Sequence, residues 1–213
     1  MKKNNIITSI LAIGLCVFYT LCVKFYDYRS VGPLDSKVGF ATLNERFHKY
    51  IGVHMSLYKI TNILGIFLGI IALTFVVIGI IQLIKRKNLF KVDKEIWLMG
   101  FFYVAVILVF LLFEKLKINY RPILDHGKLE ASFPSTHVFI TLCIGVSAML
   151  VNKKYFKPYR LINILIGLLM SAIIVLRVIS GVHWLTDIMG GLFIAGTLLY
   201  IYYSVLITFK KKH

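Results

Sequence analysis

Long apolar runs without charged residues alternate with short polar segments along this chain. Residues 63–84 and 96–113 contain no Asp, Glu, Lys or Arg, and each run is long enough to cross a hydrocarbon core of about 30 Å as an α-helix. The pattern predicts six spans, at about 6–23, 60–84, 96–113, 137–151, 161–180 and 188–208. Because lipid cannot hydrogen-bond to the backbone, spanning segments of this kind fold as helices. We therefore expect an all-α, polytopic membrane protein, with one six-helix transmembrane domain over residues 1–213.

The first apolar run follows two lysines, as the apolar core of a signal peptide does. No small-x-small cleavage site follows it, and Leu21 stands before Cys22 where a lipoprotein signal has a small residue. We expect a retained helix. Cys16, Cys22 and Cys143 all lie in apolar runs, which favours packing over disulfide or metal chemistry.

The segment 24–59 is the longest connection between spans. Its residues 38–44 and 47–58 mix apolar, aromatic and basic side chains, a mixture typical of short amphipathic helices that lie at the membrane interface. The segment either caps the bundle or forms a lid or access path for a lipid.

Composition supports the bilayer as solvent, since 59% of the residues are hydrophobic and only 16% are charged. A net charge of +16 could indicate nucleic acid, but in a six-span protein it more often reflects topology and contact with anionic head groups. Basic residues are densest in the short segments on the side of the termini: Lys2, Lys3, Lys85–Lys87, Lys91, Lys94, Lys153, Lys154, Lys157, Arg160 and Lys210–Lys212. This bias predicts cytoplasmic termini.

Six spans bring three polar clusters to the face opposite the termini. The clusters are Arg121 after the third span, Ser135 and His137 at the start of the fourth, and Arg177, His183 and Asp187 between the fifth and sixth. Ionisable residues aligned at one membrane depth are costly and indicate a site.

Each residue alone has a simpler explanation. Either arginine could extend to the head groups, Ser135 could be a helix N-cap, and Trp184 could be a head-group anchor. His183 and Asp187 are four residues apart, which would place them on one helix face.

The ordered string Arg121-Pro122, Pro134-Ser135-Thr136-His137 and Arg177-x5-His183-x3-Asp187 resembles the type 2 phosphatidic acid phosphatase family. These are membrane lipid phosphatases related to vanadium haloperoxidases. The resemblance extends from about the third span to the sixth, and residues 32–62 also resemble the outer loop of a bacterial subgroup. It implies a bacterial cell-membrane enzyme.

The resemblance also implies roles for individual residues. His183 would attack phosphorus and form a phosphohistidine, while Asp187 would accept a hydrogen bond from its other ring nitrogen. His137 would be the general acid. Arg121, Arg177 and Ser135 would bind the phosphate oxygens. The sequence has neither zinc-ligand spacing nor a spare carboxylate cluster for Mg²⁺, so we expect no metal or other cofactor.

The chain departs from the family pattern at two positions. Glu114 stands where the family usually has a lysine, seven residues before Arg121, and Leu176 replaces the usual serine before Arg177. We hypothesise that Lys115 or Lys117 supplies the missing phosphate contact.

The sequence thus predicts a metal-independent lipid phosphatase in the bilayer, active on the extracytoplasmic side. By resemblance its substrate is phosphatidic acid, phosphatidylglycerophosphate or undecaprenyl diphosphate. The alternatives are a lipid-phosphate phosphotransferase and a non-catalytic lipid-phosphate binder or transporter. No nucleic-acid partner is expected. Gly190, Gly191 and Gly196 are expected to allow close helix packing in the sixth span.

Overall fold

The computed structural model describes residues 3–125 and 127–210. This part of the chain contains seven α-helices, and six of them are long and apolar enough to cross a membrane. The helices are α1 (Lys3–Phe25), α2 (Ala41–Ile51), α3 (Met55–Arg86), α4 (Lys94–Leu116), α5 (Thr136–Tyr155), α6 (Tyr159–Ile179) and α7 (Leu185–Lys210). The predicted six-helix membrane fold is confirmed. Of the basic residues that led to the predicted orientation, Lys2, Lys211 and Lys212 lie outside the described residues.

The connection between α1 and α3 holds the short amphipathic helix α2. It also holds a two-stranded antiparallel pair, β1 (Arg29–Ser30) and β2 (Lys37–Val38), joined through a 3-10 turn at Pro33–Asp35. The segment 47–58 does not form one helix, because Gly52 adopts a φ of 74° and ends α2. Met55 then begins α3, five residues before the predicted span, so the N-terminal end of α3 reaches the polar clusters.

The central helix is α5, which packs against α3, α4, α6 and α7, while α1 packs on α7. Its side chains Phe139, Cys143 and Val151 form the middle of the hydrophobic core. By contrast, α1, α3, α4 and α6 expose many large apolar side chains at the outside of the bundle. A surface of that kind is stable in lipid rather than in water.

Two of the three glycines in α7 allow a close approach. A Cβ atom at Gly190 would lie 2.3 Å from the ring of Phe133, and one at Gly191 would lie 3.1 Å from the carbonyl oxygen of Ser135. The start of α7 is therefore held against the segment that leads into α5. Gly196 has open space at its Cβ position, so close packing does not explain it.

Candidate active site

The three polar clusters meet at one end of the bundle. Arg177, in the last turn of α6, donates through Nη2 to Nδ1 of His137 in the first turn of α5 (2.9 Å). The backbone N–H of Ser135 donates to the carbonyl oxygen of Asp187 in the first turn of α7 (2.9 Å). The ends of α5, α6 and α7 therefore form one site.

His183 and Asp187 are joined through a third residue. His183 precedes α7, which begins at Leu185, so the two residues do not share a helix face as their spacing predicted. Nδ1 of His183 lies 3.8 Å from Oδ2 of Asp187, too far for a hydrogen bond. The hydroxyl of Ser132 lies between them: it donates to Oδ2 of Asp187 and lies 3.1 Å from Nδ1 of His183.

This arrangement fixes the tautomer of His183. The Ser132 hydroxyl hydrogen points to Asp187, and the Ser132 carbonyl oxygen, also 3.1 Å from Nδ1, can only accept. Nδ1 of His183 must therefore carry the ring hydrogen, which leaves a lone pair on Nε2. Nε2 is buried and has no hydrogen-bond partner among the described residues.

The electrostatic surroundings keep His183 neutral. Burial, reinforced by the positive charges of Arg177 and Arg121, lowers the pKa of His183 well below its ordinary value of 6.5. A neutral, correctly oriented imidazole with a free nitrogen is a nucleophile.

The Asp187 carboxylate is fully buried and held by three donors. Besides Ser132, the backbone N–H of Trp184 donates to Oδ2 (3.0 Å), and the side-chain amide of Asn119 donates to Oδ1 (3.3 Å). The Trp184 indole is itself buried and donates to the carbonyl of Tyr120 (2.6 Å). Trp184 is therefore part of the site rather than the head-group anchor that we expected.

Tyr58 of α3 brings the two arginines together. Its ring centroid is 4.6 Å from Cζ of Arg177 and 5.9 Å from Cζ of Arg121, and its hydroxyl accepts from Nη1 of Arg121 (3.3 Å). Arg177 also donates to the Thr61 hydroxyl (2.8 Å). An aromatic face attracts cations, so Tyr58 offsets part of the repulsion between the two guanidinium groups.

Carboxylates also lie beside Arg121. Its guanidinium is 3.5 Å from Asp125 and 3.3 Å from Glu130. An incoming phosphate would compete with these two groups for Arg121.

Ser135 occupies the N-cap position of α5, as one of the simpler explanations predicted. Its side chain makes no capping hydrogen bond, however, and its buried hydroxyl has no partner in the part of the chain that the structure describes. The Nε atoms of Arg121 and Arg177 are likewise buried without a partner among residues 3–125 and 127–210. These polar groups remain available for a ligand.

The structure does not connect the proposed substitute lysines to the site. Lys115 and Lys117 are exposed, as is Glu114. Lys117 donates through its backbone N–H to the Phe113 carbonyl (3.1 Å), but neither lysine side chain makes a hydrogen bond or an ion pair with a described residue.

Sequence reasoning missed Ser132, Asn119, Tyr58 and Thr61. The first two lie close to the recognised motifs, and their polarity between apolar neighbours is the only signal they carry. Tyr58 and Thr61 lie in a span that has no motif. Among the described residues, no three His, Cys, Asp or Glu side chains are grouped so that they could hold a metal ion.

Comparisons with known proteins agree with the fold and with the motifs. The family model of the PAP2 superfamily matches residues 112–211, which include all three motifs. The fold is similar to the crystal structure of the first transmembrane PAP2-type phosphatidylglycerolphosphate phosphatase from Bacillus subtilis, with a TM-score of 0.65 and 18% identity, over 94% of this chain and 96% of that chain. No curated protein matches the sequence. The resemblance predicted from the motifs is thereby confirmed: residues 112–211 match the model of the PAP2 superfamily.

Proposed function

We propose that this protein is an integral-membrane lipid phosphatase that works through a phosphohistidine on His183. One observation carries the proposal. Four buried polar groups lack a partner among the described residues and belong to the residues that must bind and attack a phosphate: Nε2 of His183, the Ser135 hydroxyl, and Nε of Arg121 and Arg177. Buried polar groups are normally hydrogen-bonded, so their convergence at one end of the bundle favours an anionic ligand.

The first step is attack by Nε2 of His183 on phosphorus. The N–P bond forms while the bond from phosphorus to the lipid oxygen breaks. The Ser132 hydroxyl accepts from Nδ1–H of His183 and donates to Asp187. As the imidazole ring becomes positive, this pair of hydrogen bonds stabilises its charge. The guanidinium groups of Arg121 and Arg177 offset the charge on the phosphoryl oxygens, a role that metal ions have in other phosphoryl transfers.

His137 protonates the departing lipid oxygen. With Nδ1 accepting from Arg177, the neutral ring carries its hydrogen on Nε2 and has no second proton to give. A bound phosphate competes for Arg177 and favours the protonated ring by its negative charge, which arms His137 as the acid. Water then attacks the phosphohistidine, His137 takes the proton, the N–P bond breaks, and inorganic phosphate is released.

We propose an outward-facing site and a lipid phosphate monoester or diphosphate as substrate. Phosphatidic acid, phosphatidylglycerophosphate and undecaprenyl diphosphate all present a terminal phosphate on a long apolar body. The similar Bacillus subtilis protein is a phosphatidylglycerolphosphate phosphatase by its title, which supports this class. Lys115 or Lys117 would contact the phosphate only after its side chain turns towards Arg121.

The test is phosphate release in detergent from these three lipids, comparing the wild type with His183→Gln. We expect the variant to lose about 1000-fold or more in kcat/KM on the preferred lipid. His54→Gln is the matched control, because this histidine is exposed at the same end and, among the described residues, its side chain bonds only to the Ile51 carbonyl (2.9 Å), so its backbone bonds survive the substitution.

Two outcomes would redirect the assignment, and a third would change the mechanism. Equal release by wild type and His183→Gln on all three lipids would remove the enzyme and leave a non-catalytic binder or transporter. Transfer of the phosphoryl group to a lipid or sugar hydroxyl, with little inorganic phosphate, would make the protein a phosphotransferase. Activity lost on EDTA treatment and restored by Mg²⁺ would overturn the metal-free mechanism.

A further inference from the structure

A second concave region lies at the end of the bundle opposite the site. It contains two adjoining cavities of about 480 and 450 Å³ between α4, α7 and the α3–α4 connection. Five residues line both cavities, so the two form one continuous groove, which we call the α4–α7 groove. The shared residues are Phe90, Val92, Lys94, Leu98 and Phe209.

One half of the groove is apolar and aromatic. Trp97 and Phe101 lie one turn apart on α4 with stacked rings (centroids 5.9 Å apart), and the Trp97 indole is fixed by donating to the Leu89 carbonyl (3.0 Å). Phe90 is 97% exposed beside them. In a bilayer this half can hold a hydrocarbon chain.

The other half carries charge in a fixed arrangement. Asp93 bonds to Arg86 (2.8 Å) and Lys154 (3.2 Å), and Glu95 bonds to Lys154 (2.7 Å). Burial alone would raise the pKa of Asp93, but hydrogen bonds from Arg86, Lys154 and Tyr155 lower it to about 2, so Asp93 stays ionised. Arg86 and Lys154 thus balance the two carboxylates.

Two further lysines line this half, Lys91 and Lys94. With Lys154, three basic side chains line this half beside two acidic ones, and Arg86, which does not line the groove but bonds to Asp93, brings the formal excess to two positive charges. Such a combination complements a ligand with an anionic head and an apolar tail.

We propose that the α4–α7 groove binds an anionic phospholipid of the adjacent leaflet, with its head group at Lys91 and Lys94 and a chain along Trp97 and Phe101. This site lies at the opposite end from His183 and is separate from the proposed substrate site. Each lysine near an anionic surface contributes about 1 kcal/mol, which corresponds to a selectivity of about five-fold for each lysine over a neutral lipid.

Trp97 provides the readout. The chain has two tryptophans, and Trp184→Phe leaves Trp97 as the sole emitter. In vesicles of dioleoylphosphatidylcholine, quenching by brominated phosphatidylglycerol is compared with quenching by brominated phosphatidylcholine. We expect phosphatidylglycerol to bind about five- to 25-fold more tightly in the groove.

Lys91→Gln combined with Lys94→Gln should reduce the ratio of phosphatidylglycerol affinity to phosphatidylcholine affinity to near one. Lys85→Gln combined with Lys87→Gln is the matched control, since it removes the same charge at the same end from residues that do not line the groove; its ratio should stay within about two-fold of the starting protein. Native mass spectrometry of the wild type, counting retained phosphatidylglycerol and phosphatidylcholine, provides a measurement without the Trp184 substitution. Equal binding of the two lipids by the wild type, or an equal fall in both double variants, would overturn the proposal.

Discussion

At the scale of single residues, Asp187 orients His183, the proposed nucleophile, through a third residue, Ser132. The motif spacing predicts a direct His183–Asp187 pair, but the 3.8 Å between Nδ1 and Oδ2 is bridged by Ser132. Because Trp184 and Asn119 also donate to the carboxylate, Asp187 is fixed from three directions and its effect on the ring passes through one hydroxyl.

Replacing Ser132 with alanine should reduce kcat/KM by about 10- to 100-fold, because a hydrogen bond to a charged group contributes about 1.5–3 kcal/mol. The pH profile gives a second readout. In the wild type the lowered pKa of His183 keeps the ring neutral as the pH falls through 6.5, so activity should be lost only at markedly lower pH. In Ser132→Ala the carboxylate acts on the ring without the intervening hydroxyl and favours its protonated form, which should move this acid limb upward.

Ser135→Ala is the control for this prediction. It removes a hydroxyl of the same size that has no bond to the His183 ring among the described residues. We expect it to raise KM without moving the acid limb. An unchanged pH profile and kcat/KM in Ser132→Ala would exclude the bridging role.

At the scale of helices and loops, the connection between α1 and α3 packs over the site. Asn44 of α2 accepts from the backbone N–H of Thr186 (3.2 Å) and donates to its hydroxyl (2.9 Å) and to the carbonyl of Gly39 (2.8 Å). The N–H of Gly39 donates in turn to Asn119 (3.3 Å), which bonds Asp187. This buried chain of hydrogen bonds favours the cap among the two interpretations of the loop.

The connection between α1 and α3 also packs closely against the loop between α6 and α7. A Cβ atom at Gly181, where φ is +65°, would lie 1.8 Å from the carbonyl oxygen of Gly52. The N–H of His54 donates to the Ser180 carbonyl (2.9 Å), and the ring of His48 contacts the Gly181 carbonyl (3.1 Å). The connection therefore packs directly on the loop that carries His183, the proposed nucleophile.

Asn44→Leu should lower both the thermal midpoint and kcat/KM. The substitution leaves the N–H of Thr186 and the Gly39 carbonyl without partners, at about 1–3 kcal/mol for each buried group. Thermal unfolding and phosphate release in the same detergent measure the two effects. Tyr50→Leu, at an 87% exposed position on α2, should change neither; a midpoint for Asn44→Leu equal to that of the wild type would contradict the capping role.

At the scale of the whole molecule, the two ends of the bundle differ in chemistry. One end carries the candidate active site under α2, and the other carries the short, lysine-rich connections between α3 and α4 and between α5 and α6. The excess of basic residues in short connections favours a cytoplasmic location for the second end. Both histidines of the site lie at the first end, through their contacts with Ser132 and Arg177.

Cysteine labelling tests this orientation. In a variant without Cys16, Cys22 and Cys143, single cysteines at Tyr50 and Phe90 report on the two ends, because these side chains are 87% and 97% exposed. A membrane-impermeant maleimide should label Tyr50→Cys in intact cells and Phe90→Cys only after permeabilisation. The reverse pattern would place the site in the cytoplasm.

The sequence by itself determined the membrane fold and the end of the bundle at which the polar motifs meet. Both follow from local physics. Apolar runs such as 96–113 must form helices in lipid because nothing else pairs with their backbone, and the number of crossings before each motif decides its side.

The tertiary structure alone decided which atoms meet. Helix rotation and the path of the loops decide three of these contacts. Ser132 lies between His183 and Asp187, Tyr58 contacts both arginines, and Asn44 caps α7. The hydrophobic pattern does not fix helix rotation or loop path to within the length of a hydrogen bond. A shift of about 1 Å leaves apolar side chains in contact but breaks a hydrogen bond.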